Sequence, residues 1–130
     1  MPELIRPSKV LPATRTPIHF KTADGLKLIG EVATPTDGKV AASLLMLHPN
    51  PTGGGMMDSH IYKKAANRLP FMAAIQTIRF NTRGTQSEAG KSDGEFGGGV
   101  DERLDVEAAI KYCFEELKVN NLYVVGWSFG

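Results

Sequence analysis

The chain has 130 residues, of which 42% are hydrophobic and 22% are charged, as is ordinary for a globular domain with a buried core. Its 15 Lys and Arg residues against 14 Asp and Glu residues give a formal net charge of +1, which excludes a broad basic surface for nucleic acid or an anionic membrane. A single cysteine, Cys113, excludes an internal disulfide, and no Cys and His residues have the spacing of a zinc site. We therefore expect a small molecule as the partner, no nucleic acid, no membrane and no metal, while the oligomeric state stays open.

Neither a membrane span nor a secretory signal is predicted. The longest apolar run, residues 41–47, is far shorter than the roughly 20 residues of a spanning helix. The N-terminus also lacks the apolar core of a signal peptide. Together with the single cysteine, these features favour a cytoplasmic location.

The N-terminal third predicts a flexible lead-in followed by a β-hairpin. Residues 1–16 contain three prolines, which lack a backbone donor, and they are predicted to have no regular structure. Two β-like runs, 17–22 and 26–34, flank Asp24-Gly25, which is a strong hairpin signal. Apolar and polar residues alternate along both runs, so His19 is expected on the exposed face and the following on the buried face: Ile18, Phe20, Leu26 and Leu28.

From residue 41 onward the pattern changes to strands that alternate with helices. A helix with Asp58 or Ser59 as its N-cap is predicted to end near Pro70. Its apolar face is expected at Ile61, Ala65 and Leu69, with Tyr62 and Ala66 beside them. A long polar loop is expected over 85–99. A second helix follows, 100–117, with its apolar stripe at Val106, Ala109, Ile110, Cys113 and Leu117. The predicted strands are 41–47, 73–80 and 121–125, which indicates a layered α/β domain with right-handed crossovers but does not give the strand order.

The last five residues, Gly126-Trp127-Ser128-Phe129-Gly130, form a complete G-x-S-x-G directly after the last predicted strand. At a sharp strand-to-helix turn the two glycines allow neighbouring backbone to pass closely, and the serine hydroxyl stands above the edge of the sheet. Ser128 is therefore a candidate nucleophile, and the backbone N–H of Phe129 is a candidate oxyanion donor. A glycine-bounded turn after a buried strand is the alternative interpretation of the pentapeptide alone.

Three further motifs precede the pentapeptide in order: His48-Pro-Asn-Pro with glycines to Gly55, Arg79-Phe-Asn-Thr-Arg-Gly84, and Gly94-Glu-Phe96. In this arrangement the chain resembles the N-terminal half of an α/β-hydrolase, most closely the small single-domain bacterial type. The resemblance covers 17–130 and implies a three-layer α/β-hydrolase-type sheet, N-terminal half only, with an antiparallel leading hairpin. It divides the chain into a flexible lead-in, 1–16, and a hydrolase domain, 17–130.

The resemblance also implies roles for individual residues. The second oxyanion N–H of the family maps onto Asn50, where Pro49 and Pro51 carry no N–H. His48 resembles the histidine that braces this loop, and Arg83 resembles an arginine whose guanidinium ties loop carbonyls together. A rigid Pro-Gly connector and a solvated arginine are the alternatives at these positions. The implied activity is attack by Ser128 on an ester, thioester or amide, through an acyl-serine intermediate and without a metal or organic cofactor.

The family order places the triad acid and base after the nucleophile, yet all three histidines precede Ser128. We expect the sequence to be a fragment of a longer serine hydrolase and to be inactive by itself. A non-catalytic or degenerate hydrolase-fold protein is the alternative.

A phosphate- or nucleotide-binding loop at Gly84–Ser92 is less favoured. Five residues separate its glycines where a P-loop has four, and no helix is predicted to follow Ser92.

Overall fold

The computed structural model describes residues 11–126, and these form a mixed five-stranded sheet with helices against it. The strands of this sheet run in the order β1-β2-β4-β3-β7. A separate two-stranded ribbon, β5-β6, lies beyond it. The elements are β1 (Thr14–Lys21), β2 (Lys27–Thr34), β3 (Ala42–Leu47), α1 (His60–Ala73), β4 (Ile75–Phe80), β5 (Gln86–Ser87), β6 (Gly90–Lys91), α2 (Glu102–Glu115) and β7 (Leu122–Gly126).

The sheet is antiparallel at its beginning and parallel thereafter. β1 pairs with β2 and β2 with β4 in antiparallel fashion, whereas β3 pairs in parallel with β4 and β7. Leu45 of β3 packs in the cluster that contains Ala109 of α2, and the next residue, Met46, packs with Tyr62 of α1. Because successive side chains of a strand point to opposite faces, the two helices cover opposite faces of the sheet. This arrangement confirms the predicted fold class, with its antiparallel hairpin and α/β layers.

The leading hairpin is as predicted, but it begins earlier. Gly25 has a φ of +86° in the turn, a conformation that favours glycine. Thr14 pairs with Thr34, so β1 continues for as long as β2 offers a partner, and residues 14–16 belong to the sheet and not to the lead-in. Residues 1–10 of the predicted lead-in lie outside the described part. Leu26 is only half-buried and precedes β2, whereas His19 is exposed and the other core residues are buried as expected: Ile18, Phe20 and Leu28.

Helix α1 begins after the predicted N-cap, Ser59, but Pro70 does not end it. A proline inside a helix cannot donate to the carbonyl four residues earlier, which here is Ala66. That carbonyl accepts a hydrogen bond from the Arg15 guanidinium instead, at 3.1 Å. The next carbonyl, of Asn67, accepts from the Leu11 N–H at 2.9 Å. Leu11, before β1, and Arg15, within β1, thus supply donors at the proline, and the helix continues to Ala73.

The buried stripe of α1 is shifted by one residue from the predicted one. Tyr62, Ala66 and Pro70 are buried, whereas Ile61 is 56% exposed. Tyr62 and Ala66, which were predicted to lie beside the stripe, are at its centre. Tyr62 packs its ring under the sheet with Met46 and Ala66.

Helix α2 buries Ala109 and Cys113 as predicted, together with two acidic residues that were not predicted to be buried. Val106, Ile110 and Leu117 are only half-buried, while Glu102 and Asp105 are 4% and 0% exposed. Burial raises the pKa of the Cys113 thiol to about 11, which fits a cysteine that packs as a small hydrophobic residue. The apolar cluster around α2 is completed by strand residues, among them Phe20, Leu28, Ile78 and Phe80.

The segment 85–99, predicted to be a loop, contains the short β5-β6 ribbon. The ribbon is held to the sheet by polar contacts. The side chain of Asn81, fully buried, donates to Ser87 Oγ at 2.9 Å, and the Ser92 hydroxyl donates to the Asn81 carbonyl at 2.6 Å. The Ile29 N–H donates to Ser92 Oγ at 3.0 Å. The polar composition predicted an exposed loop over 85–99. Hydrogen bonds of the buried Asn81 and Ser92 side chains instead hold part of this segment as an ordered ribbon.

Strand β7 lies at the edge of the sheet and is exposed on both of its faces. Tyr123, Val124 and Val125 are 62%, 46% and 39% exposed, although the sequence reads as a buried strand. Within residues 11–126 no helix has the length and apolarity of a membrane span.

Candidate active site

The ends of β3 and β7 lie side by side. In their parallel register Leu47 pairs with Gly126, so the chain leaves the sheet at the same edge after both residues. His48, Pro49 and Asn50 follow at the end of β3. The predicted nucleophile Ser128 and the predicted donor Phe129 follow β7, and both lie outside the described residues.

The loop after β3 presents one backbone N–H between two prolines. Pro49 and Pro51 have no N–H, and the Asn50 N–H donates to no acceptor among residues 11–126. The rest of Asn50 is engaged. Its carbonyl accepts from the N–H groups of Gly53 and Gly55, and its side-chain oxygen accepts from Thr52. The residue is exposed and held in place, with its own N–H left available for a ligand.

Gly55 allows this loop to fold back on itself. A Cβ at position 55 would stand 2.0 Å from the Pro49 carbonyl oxygen and 2.8 Å from the Asn50 carbonyl oxygen. Such an approach is possible only for a residue without a side chain. By contrast, a Cβ at Gly53 would meet nothing within 4 Å. The Pro-Gly composition therefore specifies one closed loop conformation.

His48 lies beneath the loop and joins it to the segment after β4. The residue is 2% exposed. Its Nδ1 lies 2.7 Å from the Pro49 carbonyl oxygen, and its Nε2 lies 3.1 Å from the Thr82 backbone nitrogen and 3.2 Å from the Thr82 hydroxyl. Burial lowers the pKa of His48, while its backbone contacts oppose that shift only in part. The imidazole is therefore neutral near pH 7.

Arg83 is buried between two carboxylates. Its backbone N–H and its Nε donate to Asp105 at 2.8 and 3.0 Å, and its two terminal nitrogens donate to Asp24 at 2.9 and 3.1 Å. The predicted acceptors were loop carbonyls, and this prediction was wrong. A buried guanidinium needs opposite charge to offset its lost hydration, which carboxylates supply and carbonyls do not.

The charges in this cluster are set by the same contacts. Burial alone would lower the pKa of Arg83, but the hydrogen bonds to Asp24 and Asp105 raise it overall. The hydrogen bond from Arg83, and then that from Thr22, lower the pKa of Asp24. Burial raises the pKa of Asp105, although the bonds from Arg83 favour its carboxylate. Arg83 thus connects the hairpin turn, the end of β4 and helix α2 through ionic contacts.

Two polar residues at this end of the sheet were missed in the sequence. Asn81 accepts from the Met57 N–H at 2.8 Å, and so joins the segment before α1 to the ribbon after β4. Asp105 is the buried partner of Arg83. A signal for Asp105 was present, because residues 102, 105, 109 and 113 share one helical face, but a search for apolar stripes passes over acidic members.

A cleft of about 340 Å³ opens beside His48 and Thr82. Its far wall is the N-terminal part of α2, including Glu102 and Val106. The Glu102 carboxylate accepts hydrogen bonds from the N–H groups of Gly97 and Gly99, at 2.7 and 3.0 Å. The charge of Glu102 is therefore already engaged by backbone donors at the rim.

The segment considered as a phosphate loop has a different conformation. Lys91 belongs to β6, and the hydroxyl of Ser92 is buried and bonded to backbone of β2 and β4. In the described part of the chain the next helix begins only at Glu102, so its N-terminal N–H groups do not form a phosphate cradle directly after Ser92. Within the described residues no three His, Cys, Asp or Glu side chains are grouped as a metal site.

Comparison with known proteins gives matches among solved structures. An α/β serine hydrolase without a lid from Xanthomonas campestris is 27% identical, with a TM-score of 0.74 over 95% of this chain and 55% of its own. An α/β serine hydrolase homologue from Coxiella burnetii is 25% identical, with a TM-score of 0.70 over 88% of this chain and 52% of its own. The esterase Pf2001 of Pyrococcus furiosus, at 20% identity, shares the fold with a TM-score of 0.73 over 97% of this chain and 49% of its own.

The chain thus spans about half the length of these solved structures. No protein-family model and no curated protein sequence matches it.

Proposed function

Because this chain belongs to the α/β-hydrolase superfamily, we propose that the full-length protein is a serine hydrolase that uses Ser128 as its nucleophile. The substrate would be a small molecule with an ester, thioester or amide carbonyl. Attack would break the ester, thioester or amide bond and release the alcohol, thiol or amine, leaving an acyl-serine intermediate that water then hydrolyses. The similarity to hydrolases described as serine enzymes supports this assignment.

The observation that carries the proposal is the register between β3 and β7. Gly126 lies beside Leu47, and the next residues on each strand are His48 and the start of the pentapeptide. A turn of the G-x-S-x-G type beginning at Gly126 would bring Ser128 to the edge of the sheet where Asn50 stands. The Asn50 N–H, which donates to no acceptor within 11–126, would then be one oxyanion donor and the Phe129 N–H the other.

The proposed reaction needs a nucleophile, two oxyanion donors and a general base. The Ser128 hydroxyl attacks the carbonyl carbon, its proton passes to a general base, and negative charge develops on the carbonyl oxygen. Two rigid backbone N–H groups stabilise that charge without needing to reorganise. His48 cannot serve as the base, because it is buried and both of its ring nitrogens are engaged in hydrogen bonds. The acid and base would come from the half of the fold that the matched structures have beyond this region.

The proposal is tested by labelling the full-length gene product with a fluorophosphonate probe. Wild-type protein should be labelled, and Ser128→Ala should abolish labelling while the fold is retained in circular dichroism. Ser92→Ala is a control for serine specificity, since that hydroxyl is buried in the ribbon contacts and should not react. Labelling that survives Ser128→Ala would reject Ser128 as the nucleophile.

The alternative of a non-catalytic hydrolase-fold protein predicts a different outcome. A well-folded full-length protein that takes up no probe, and whose sequence beyond Ser128 lacks an acid followed by a histidine, would favour it. The cytoplasmic location and the need for no cofactor are further expectations of the proposal. Cell fractionation and activity in the presence of a metal chelator test them.

A further inference from the structure

The peptide unit between Pro49 and Asn50 is held from one side by His48. The Nδ1 atom of His48 lies 2.7 Å from the Pro49 carbonyl oxygen, and this carbonyl shares its peptide unit with the Asn50 N–H. The C=O and N–H of a trans peptide point in opposite directions. A hydrogen bond that fixes the Pro49 carbonyl therefore also fixes the direction of the Asn50 N–H.

The position of the proton on His48 follows from the two groups it contacts. The Thr82 backbone N–H can only donate, so Nε2 at 3.1 Å must accept. The Pro49 carbonyl can only accept, so Nδ1 must carry the proton. Only the Nδ1–H tautomer satisfies both contacts. In the other tautomer an N–H would face the Thr82 N–H, and a lone pair would face the carbonyl.

We propose that the Thr82 N–H, the His48 imidazole and the Pro49 carbonyl form a relay that positions and polarises the Asn50 N–H. The relay adds Thr82 to the proposed site as a positioning residue, because Thr82 selects the tautomer of His48 without touching the substrate. Successive hydrogen bonds strengthen one another, so an N–H whose own carbonyl accepts a short bond is a better donor. The buried Thr82 hydroxyl also lies beside this ring nitrogen, at 3.2 Å from Nε2 and 3.0 Å from Thr85 Oγ1.

The catalytic consequence of this relay rests on the proposed function. Two substitutions of His48 separate its contact with Pro49 from its contact with Thr82. The amide nitrogen of His48→Asn takes the place of Nδ1 and keeps a donor to the Pro49 carbonyl. The longer His48→Gln reaches the place of Nε2, keeping an acceptor for Thr82 but losing the donor to Pro49. A role in filling space alone would not distinguish the two in this order.

The experiment measures kcat and KM of the full-length protein for a p-nitrophenyl ester. We expect kcat of His48→Asn to stay within about tenfold of wild type, since one contact is lost. We expect His48→Gln to lose roughly 100-fold in kcat with little change in KM, as for the loss of an oxyanion donor. His19→Gln, an exposed histidine on β1, serves as the control and should match wild type. Equal losses in kcat for the two His48 variants would overturn the relay.

A second readout does not depend on activity. The 15N chemical shifts of the His48 ring distinguish a protonated from an unprotonated nitrogen, and in resting protein they should show the proton on Nδ1. A proton on Nε2 would overturn the relay even in an active enzyme. Conversely, a protein that hydrolyses no ester but shows the Nδ1–H tautomer would remove the proposed function and leave the tautomer assignment standing.

Discussion

At the scale of single residues, the end of the sheet is held by polar groups with few but specific partners. His48 connects two loops through its two ring nitrogens, and Arg83 connects three elements through two carboxylates. In both cases a buried polar group finds a partner far away in the sequence. Pairing the buried group costs less free energy than leaving it without a hydrogen bond, because an unpaired buried group loses its hydration with no compensation.

The two carboxylates that bind Arg83 should differ in their importance for stability. Asp105 is fully buried, whereas the side chain of Asp24 is 40% exposed and can be replaced by water. Asp105→Ala leaves a buried cation with part of its donors unpaired, and should lower the free energy of unfolding by about 3–5 kcal/mol. Asp24→Ala is the matched control and should cost clearly less. Urea denaturation of the wild type and the two variants, each as full-length protein, measures these costs, and equal costs would contradict the importance given to burial.

Burial of His48 gives stability a pH dependence. Because burial lowers the folded pKa of His48, the unfolded chain binds a proton below about pH 6.5 where the folded chain does not. The stabilisation is therefore complete above that pH and is lost as the pH falls through the lowered folded value. The free energy of unfolding of the full-length protein, measured against pH, should decline over this range, and His48→Gln should flatten that decline. His19→Gln should retain it, and an unchanged slope in His48→Gln would contradict the argument.

At the scale of elements, the conformation of the loop after β3 requires glycine at position 55 but not at position 53. Gly55→Ala places a methyl group against the Pro49 carbonyl, so the peptide that carries the Asn50 N–H must move. In the full-length protein this should reduce the rate of fluorophosphonate labelling by roughly 100-fold, as for a displaced oxyanion donor. Gly53→Ala, in the same loop but facing open space, should label at the wild-type rate. Comparable rates for both variants would separate Asn50 from the reaction.

Helix α1 tolerates Pro70 because another element completes its hydrogen bonds. Arg15→Ala removes the donor to the Ala66 carbonyl and should lower stability by about 1 kcal/mol. In the background of Pro70→Ala, residue 70 has an N–H that can bond Ala66 within the helix, so the same substitution should cost less. The double-mutant cycle isolates this coupling from the ion pair of Arg15 with Glu31. Additive effects would mean that the guanidinium and the proline are independent.

At the scale of the whole molecule, the described sheet ends in an exposed apolar strand. β1 is the edge strand at one side, and β7, with three exposed apolar side chains, is the edge at the other. An exposed apolar edge strand favours association with another chain. The matched structures are about twice as long as this chain, which is why we expect the corresponding strand to be covered in the full-length protein.

The 130-residue chain expressed alone should therefore be poorly stable and inactive. Its thermal unfolding should lack a single cooperative transition, and its apparent size in gel filtration should increase with concentration. The full-length protein should melt cooperatively as a control. A cooperative melt of the short chain at a constant monomeric size would show that β7 does not need covering.

The sequence by itself determined the local structure and the composition of the candidate site. Asp24-Gly25 between alternating runs specifies the hairpin, and the strand and helix periods give the α/β order. Pro49 and Pro51 have no N–H, so Asn50 between them is the only one of these three residues with a backbone donor. These features depend on neighbours along the chain, and so local sterics and hydrogen bonding are enough to predict them.

Only the tertiary structure decided which distant groups meet. The strand order that sets β7 beside β3, the carboxylates that bind Arg83, the burial of Asp105 and the continuation of α1 past Pro70 all depend on residues far apart in the chain. The Arg15 guanidinium reaches a carbonyl 51 residues away, and Thr82 meets His48 across 34 residues. Each such contact forms because folding removes water from polar groups that must then find partners, and no local pattern states which partner that will be.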